Sequence, residues 1–256
     1  MAVILGCDEN TYGFARYLHK EHGIVPIALT TTLLEVCKNS KIIDVRVDAK
    51  LHDYQHFVET LVDLGKKLKK EYEKVFIVPC SDYYMEVCSR AKAELTDYEN
   101  VFIDYERLKE FNDKISFYKM CEKYDLPYPK TVTLKPDDYK EKVKTVDFDY
   151  PLILKPNNSN SIEYLHASFP EKEKVYFIDS FDELVHKIEA IYNSSYQGEL
   201  LVQKFVQGDD SNMRVLNVYS DKTGKVKVMS LNQPILEEYH PSTFGNYAAI
   251  ISIEGV

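Results

Sequence analysis

Residues Leu152 to Ser161 read LILKPNNSNS. Three bulky apolar residues run straight into a cation, Lys155, and then into a proline, asparagines and serines. The pattern is that of a buried strand that opens at once into a polar loop. A lysine at such a strand end has two readings. It is a solvated side chain whose stem covers apolar surface, or it reaches an anion held where the strand stops. The surrounding sequence bears on the choice.

Upstream, DKISFYKMCEKY (113–124) has the look of a helix capped by Asn112 or Asp113. LPYPKT (126–131) ends it, because Pro127 and Pro129 cannot continue a helix. Downstream, KVYFIDS (174–180) is a second strand. SFDELVHKIEAIY (180–192) is an amphipathic helix with Ser180 as cap and Glu183 as its capping-box partner. Gly198 breaks it and ELLVQKFV (199–206) is a further strand. MRVLNVYS and KVKVMSLNQPI then form a hairpin around Asp221 to Gly224. These later strands pair in an antiparallel manner.

The first ~100 residues differ in character. AVILG (2–6), the helical stretch Tyr12 to Glu21 and IVPIALT (24–30) make a strand, helix, strand unit, which implies a parallel pair. Ile42 to Val47 adds a short strand. His56 to Tyr72 carries Phe57, Leu61, Leu64 and Leu68 on one face and lysines on the other. KVFIVPC (74–80) is strand, and SDYYMEVCSRAKAEL (81–95) is helix. The fold class is therefore α/β followed by α+β.

Composition bounds the function. The 256 residues suit two domains, and 45% hydrophobic residues supply a core without staples. The 41 acidic against 32 basic side chains leave a formal charge of −9, which argues against nonspecific binding to nucleic acid or anionic lipid. Five cysteines, with no pair at metal-ligand spacing, read as reduced thiols. MAVILGCDEN lacks the features of a signal peptide, and no apolar run approaches membrane length, so the expected location is the cytoplasm with no membrane partner. There is no P-loop motif, no GxGxxG after the first strand, no HExxH and no GxSxG.

What remains is an ordered set. Lys114 stands at a helix start, Lys155 at a strand end, and Gln203 and Lys204 in LLVQKFVQGDD with Asp209 and Asp210 behind a glycine. Each alone also has a plain structural reading: capping, snorkelling or a turn. In order, NDKISFYKMCEKYDLPYPKT, YPLILKPNNSNS and GELLVQKFVQGDDSNMRV resemble the ATP-grasp superfamily of carboxylate–amine ligases, in the branch that includes the peptidoglycan D-aspartate ligases. The likeness covers nearly the whole chain.

The resemblance implies a Rossmann-like pre-ATP-grasp domain over residues 1–110 and a partial ATP-grasp domain over residues 111–256. It implies an ATP cleft in which Lys114 and Lys155 meet the phosphates, the latter on the α- and β-phosphates. Asn157, Asn158 and Ser159 would belong to the loop covering the phosphates, although that loop lacks the glycines common elsewhere in the family. Gln203, Lys204, Phe205 and Val206 would lie along adenine, with the Gln203 amide oxygen accepting the bond that a glutamate accepts in many relatives. Asp210 would take the ribose hydroxyls. Arg214 would hold a phosphate or the carboxylate substrate, or else is a surface arginine.

The implied reaction joins a small carboxylate to an amine through an acyl phosphate, with ATP and magnesium. Asp8, Asn10, Ser81 and Asp82, behind strands of the parallel sheet, are substrate candidates, with helix capping as the plainer role of Ser81 and Asp82. Glu237 and Glu238 stand too early to be the family's magnesium carboxylates, so those ligands are expected beyond Val256. The sequence then reads as an N-terminal fragment, inactive alone. A nonenzymatic nucleotide- or amino-acid-binding module on the same fold is the alternative.

Overall fold

The computed structural model of the chain describes residues 1–158, 162–237 and 247–253. The chain divides into two compact units, Met1–Asn112 and Asp113–Val256.

The first unit is built on strands β1 (Ala2–Leu5), β2 (Ile27–Thr30), β3 (Asp44–Val47) and β4 (Phe76–Pro79), with helices α1 (Glu9–His22), α2 (Tyr54–Leu68), α3 (Asp82–Arg90) and α4 (Tyr105–Asn112). All four strands are parallel, in the order β3-β2-β1-β4. β1 is a central strand buried along its whole length, which is why it reads AVIL without alternation. The chain moves from β1 to β2 and β3 on one side, then crosses to place β4 on the other. The order therefore reverses between β1 and β4, and a crevice forms there at the carboxyl ends of the strands.

α2 turns Phe57, Leu61, Gly65 and Leu68 inward, and each buried aromatic or leucine side chain contributes about 1.5–3 kcal/mol. α1 ends on Gly23 at φ 65°, a left-handed position that glycine adopts without a side-chain penalty. α4 carries few apolar residues and buries only Leu108, so its sequence shows no periodic stripe.

The second unit opens with α5 (Lys114–Lys123), then β5 (Thr131–Leu134), α6 (Tyr139–Lys142), β6 (Leu152–Pro156), α7 (Ile162–His166), β7 (Tyr176–Ile178), α8 (Phe181–Tyr192) and β8 (Leu200–Lys204). Its four-stranded sheet runs β5-β8-β6-β7 and is antiparallel throughout. A three-stranded antiparallel sheet follows, from β9 (Val215–Ser220), β10 (Val226–Glu237) and β11 (Tyr247–Ser252). The β9–β10 hairpin closes on Asp221, whose N–H donates to the Lys225 carbonyl at 2.9 Å.

The four-stranded sheet has one dry face. Leu152, Leu154, Leu200 and Val202 pack with Leu184, Ile188 and Ile191 of α8 into one buried cluster. Side chains alternate along a strand, so Ile153 and Lys155 fall on the opposite face and are only half-buried. That parity decides where Lys155 points. α8 is capped by Ser180, whose Oγ accepts from Glu183 N at 3.3 Å. The Glu183 carboxylate returns to Asp179 N at 2.8 Å, one residue before the cap, so the reciprocal bond is made to the neighbouring N–H. α7 lies where the sequence pattern shows only a loop.

Candidate nucleotide-phosphate site

Two elements bring the predicted lysines together. Asp113 caps α5, its Oδ1 accepting from Ser116 N at 2.7 Å. Its other oxygen accepts from Asn157 Nδ2 at 2.7 Å, which ties the helix start to the end of β6. Lys114, the first residue of α5, donates to the Asn157 carbonyl at 2.5 Å. Asn157 is itself fixed from β8, since its N–H donates to the Glu199 carbonyl at 2.9 Å and Nδ2 reaches Glu199 Oε2 at 3.2 Å. Both bonds of Nδ2 go to carboxylates, so the amide orientation is determined. Its Oδ1 is buried and has no hydrogen-bond partner among the described residues.

Lys155 lies two residues earlier on β6. Its ammonium donates to Gln203 Oε1 at 2.9 Å and stands 3.5 Å from the Tyr118 hydroxyl on α5. Burial holds its pKa below the ordinary lysine value. Lys114 is pushed down to about 8, first by burial and then by the positive charges of Lys155 and Lys174, with Asp113 opposing. Lys114 on α5 thus feels two further cations, one from β6 and one from the segment before β7. Such a group of like charges is unfavourable unless an anion completes it. Its donors, the ammonium groups of Lys114 and Lys155, fit a polyanion such as a nucleotide's phosphate tail.

The end of β8 supplies a second feature. Lys204, Phe205 and Val206 line a cavity of about 400 Å³ together with Pro129, Tyr150 and Pro151. That size lies within the range of small-molecule sites. Phe205 packs edge-on against Phe177, with ring centroids 5.7 Å apart. Val206 is 66% exposed, an apolar surface free to take a planar ring.

The remaining predicted residues are placed as follows. Gln203 is only 6% exposed, and its amide oxygen already accepts from Lys155, so in this arrangement it supports the lysine rather than facing a base. Asn158 is exposed. Ser159 and the side chain of Asp210 lie outside the described residues, as does Glu238. Asp209 closes a turn, its Oδ1 accepting from Ser211 N at 2.9 Å. Arg214 is exposed and donates to the carbonyls of Ser211 and Met213, both at 2.7 Å.

In the first unit, Asp8 caps α1, accepting from Thr11 N and Thr11 Oγ1 at 2.9 Å. Ser81 caps α3 through Tyr84 N at 3.3 Å. Asn10, Ser81 and Asp82 nevertheless line one cleft of about 380 Å³ at the crevice between β1 and β4, whereas Asp8 is not among its walls. Among the described residues no group of three or more His, Cys, Asp or Glu side chains is arranged to hold a metal ion. No described helix is long and apolar enough to cross a membrane.

The sequence pattern missed Lys174 and Tyr118. Lys174 sits in the charged run EKEK, where nothing sets it apart. Tyr118 is the fifth residue of α5, and its position one turn after Lys114 is the single local signal that could have found it.

Comparison with solved structures identifies the architecture. The chain superposes over its whole length on 55% of an L-amino acid ligase from Bacillus licheniformis, with a TM-score of 0.61 at 13% identity. It also matches the biotin carboxylase domain of the Hydrogenobacter thermophilus 2-oxoglutarate carboxylase, solved with MgADP, ADP and bicarbonate. There it covers 92% of this chain and 50% of that one, with a TM-score of 0.63 at 17% identity. The fold is that of the ATP-grasp ligases. No family model matches the chain.

In sequence the chain is a homologue of D-aspartate ligase. It is 36% identical to that enzyme from Enterococcus faecium (strain Aus0004) in an alignment of 255 residues that covers 97% of this chain. It spans 60% of the length of that relative.

Proposed function

We propose that the chain belongs to an ATP-dependent carboxylate–amine ligase whose acid is an amino acid of the aspartate type. The name of the Enterococcus relative supports the acid, and the fold supports the reaction class. The observation that carries the reading is the approach of Lys114 and Lys155 beside Asn157, where burial and then the charge of Lys155 depress the pKa of Lys114.

In this reading Lys155 takes the α- and β-phosphates and Lys114 meets the tail from the helix side. Lys204, Phe205 and Val206 hold the base at the end of β8, and Asp210 takes the ribose hydroxyls. Asn157 and Asn158, with Ser159, cover the phosphates, and Arg214 serves the carboxylate or phosphate. The substrate carboxylate attacks the γ-phosphorus, ADP departs, and an acyl phosphate results. The amine attacks the acyl carbon and loses a proton, and phosphate leaves. Magnesium would neutralise phosphate charge during the first step. The chain's own contribution is to position the nucleotide and to offset its charge. Asn10, Ser81 and Asp82 offer the acid or amine a polar wall in the first unit.

Because the relative is longer, nucleotide binding rather than turnover is the decisive readout for this chain. Calorimetric titration with ADP should show one site. Lys155→Met should weaken it about tenfold or more, the worth of a lost charge-assisted contact, with an unfolding midpoint close to that of the parent. Equal affinity in the two proteins would rule out the phosphate role of Lys155.

A further inference from the structure

Gln203 occupies a buried position on β8, and every polar atom of its amide is engaged. Oε1 accepts from Lys155 Nζ at 2.9 Å, while Nε2 donates to Thr131 Oγ1 at 2.8 Å and to the Tyr118 hydroxyl at 2.9 Å. The neighbours fix which end of the amide faces which. A lysine ammonium only donates. The Thr131 hydroxyl already gives its proton to the Pro129 carbonyl at 2.8 Å, so toward Gln203 it only accepts. The amide therefore cannot turn over without placing like against like at both ends.

Resting on the nucleotide reading above, we propose that Gln203 is a positioning residue: its neutral amide seats the Lys155 ammonium on β8 and leaves the full charge available to a phosphate. A carboxylate at this position would seat the ammonium as firmly but would cancel part of its charge before any nucleotide arrived. The surroundings match that distinction. From α5, Lys155 faces the Tyr118 hydroxyl and the like charge of Lys114. From β8 it faces the Gln203 amide. Among the described residues its hydrogen-bond acceptors are this amide oxygen and the Tyr118 hydroxyl alone, and no carboxylate lies within 4.0 Å to pair with it. The register makes the seat possible, since Gln203 is paired with Ile153 of β6 and shares its face with Lys155.

The same geometry explains why the seat is built from three elements. Thr131 on β5 is the register partner of Gln203, Tyr118 comes from α5, and Lys155 from β6. A shift of any one element by a single residue would separate the amide from one partner and free it to rotate.

Two measurements test this. In nucleotide-free protein, NMR titration of ¹³C-labelled lysine side chains follows Lys155, assigned by the loss of its signal in Lys155→Met. Gln203→Glu should raise the Lys155 pKa by about 1–3 pH units, as an adjacent opposite charge does. An unchanged titration would overturn the proposal. ADP affinity is then measured by calorimetry in a double-mutant cycle. Gln203→Glu should weaken ADP about tenfold in the parent and leave it unaltered in the Lys155→Met background. Equal weakening in both backgrounds would show that Gln203 acts on the nucleotide directly or on the fold generally, and the proposal fails.

Gln203→Met keeps the length without the amide and enters the same cycle should Gln203→Glu not fold. A parent protein that binds no ADP would sink the nucleotide reading itself, while the titration still decides whether Gln203 seats Lys155.

Discussion

Lys114 illustrates how one side chain can oppose stability and favour binding. Its pKa in the folded protein is about 8, against ~10.4 for an unperturbed lysine. Below pH 8 it is charged in both states, so the cost of burying that charge is present in full. Between pH 8 and ~10.4 the folded protein sheds the proton first, the unfolded chain binds more protons, and stability rises with pH. Lys114→Met removes this dependence. Relative to the parent, the variant's unfolding midpoint should be most favourable at pH 7 and lose that advantage as pH approaches 10, read by thermal melts across the range. ADP affinity should move the other way in the parent, falling as pH rises through 8 because the neutral amine no longer attracts phosphate. A parent whose stability and ADP affinity are both flat from pH 7 to 9.5 would contradict this account. At this scale the sequence shows Lys155 and Lys114 plainly, since one ends an apolar run and the other starts a helix. It hides Lys174, because a lysine in a charged loop looks the same whether it faces solvent or a site. It also hides the engagement of Gln203, because a hydrogen-bond circuit joining α5, β5, β6 and β8 leaves no mark on any local pattern.

Elements are legible where burial imposes a period. β1, β6 and β8 carry unbroken or alternating apolar runs, and α2 and α8 carry stripes, so the sequence predicts all of them. α4 and α6 are short and bury few apolar residues, and α7 has only five residues, so no period announces them. Within α2, Gly65 shows how an element is fitted to its neighbour. A Cβ placed there would stand 2.8 Å from Tyr98 Cε2 and 3.1 Å from Asp97 Cβ. The tyrosine cannot easily yield, because its buried hydroxyl donates to the Leu61 carbonyl at 2.7 Å and the ring is only 5% exposed. Gly65→Ala improves intrinsic helix propensity by about 1 kcal/mol but overpacks this contact, which costs about 1–3 kcal/mol. The net expectation is destabilisation, seen as a lower urea midpoint with an unchanged slope. Pairing it with Tyr98→Leu, which withdraws the ring, should recover part of the loss; two variants whose effects simply add would show that the contact is not the cause. Asp113→Ala should cost α5 about 1–2 kcal/mol through the lost cap, while Asp113→Asn, which keeps a capping oxygen, should cost less in the same urea titration.

The whole molecule keeps separate buried clusters in its two units. The first unit has one on each face of its parallel sheet, the larger drawing on Leu5, Leu29, Phe57, Leu61, Ile77 and Phe102 and the other on Ala2, Ile4, Ala15 and Ala28, and the second unit's draws on Leu134, Leu152, Leu154, Ile188, Leu200 and Val202. No residue belongs to more than one. Among the described residues each sheet also draws all its strands from one unit. The division shows in the sequence as the change from βα alternation to antiparallel pairing, and it falls where α5 begins with its own cap. A domain with its own core, its own sheet and about a hundred residues is large enough to fold alone. Residues 1–112 expressed by themselves should therefore unfold cooperatively in urea, with circular dichroism and tyrosine fluorescence giving the same midpoint. The slope expected for this size is about 1–2 kcal/mol per molar urea. Gly65→Ala should lower that midpoint as it does in the full chain, because the atoms nearest its added Cβ, in Tyr98 and Asp97, lie in the first unit, whereas the effects of Asp113 and Gln203 substitutions on stability should be confined to the second. Non-coincident transitions, or a piece that remains unfolded in water, would mean that the parallel sheet depends on residues beyond Asn112 and that the two cores are not energetically separate.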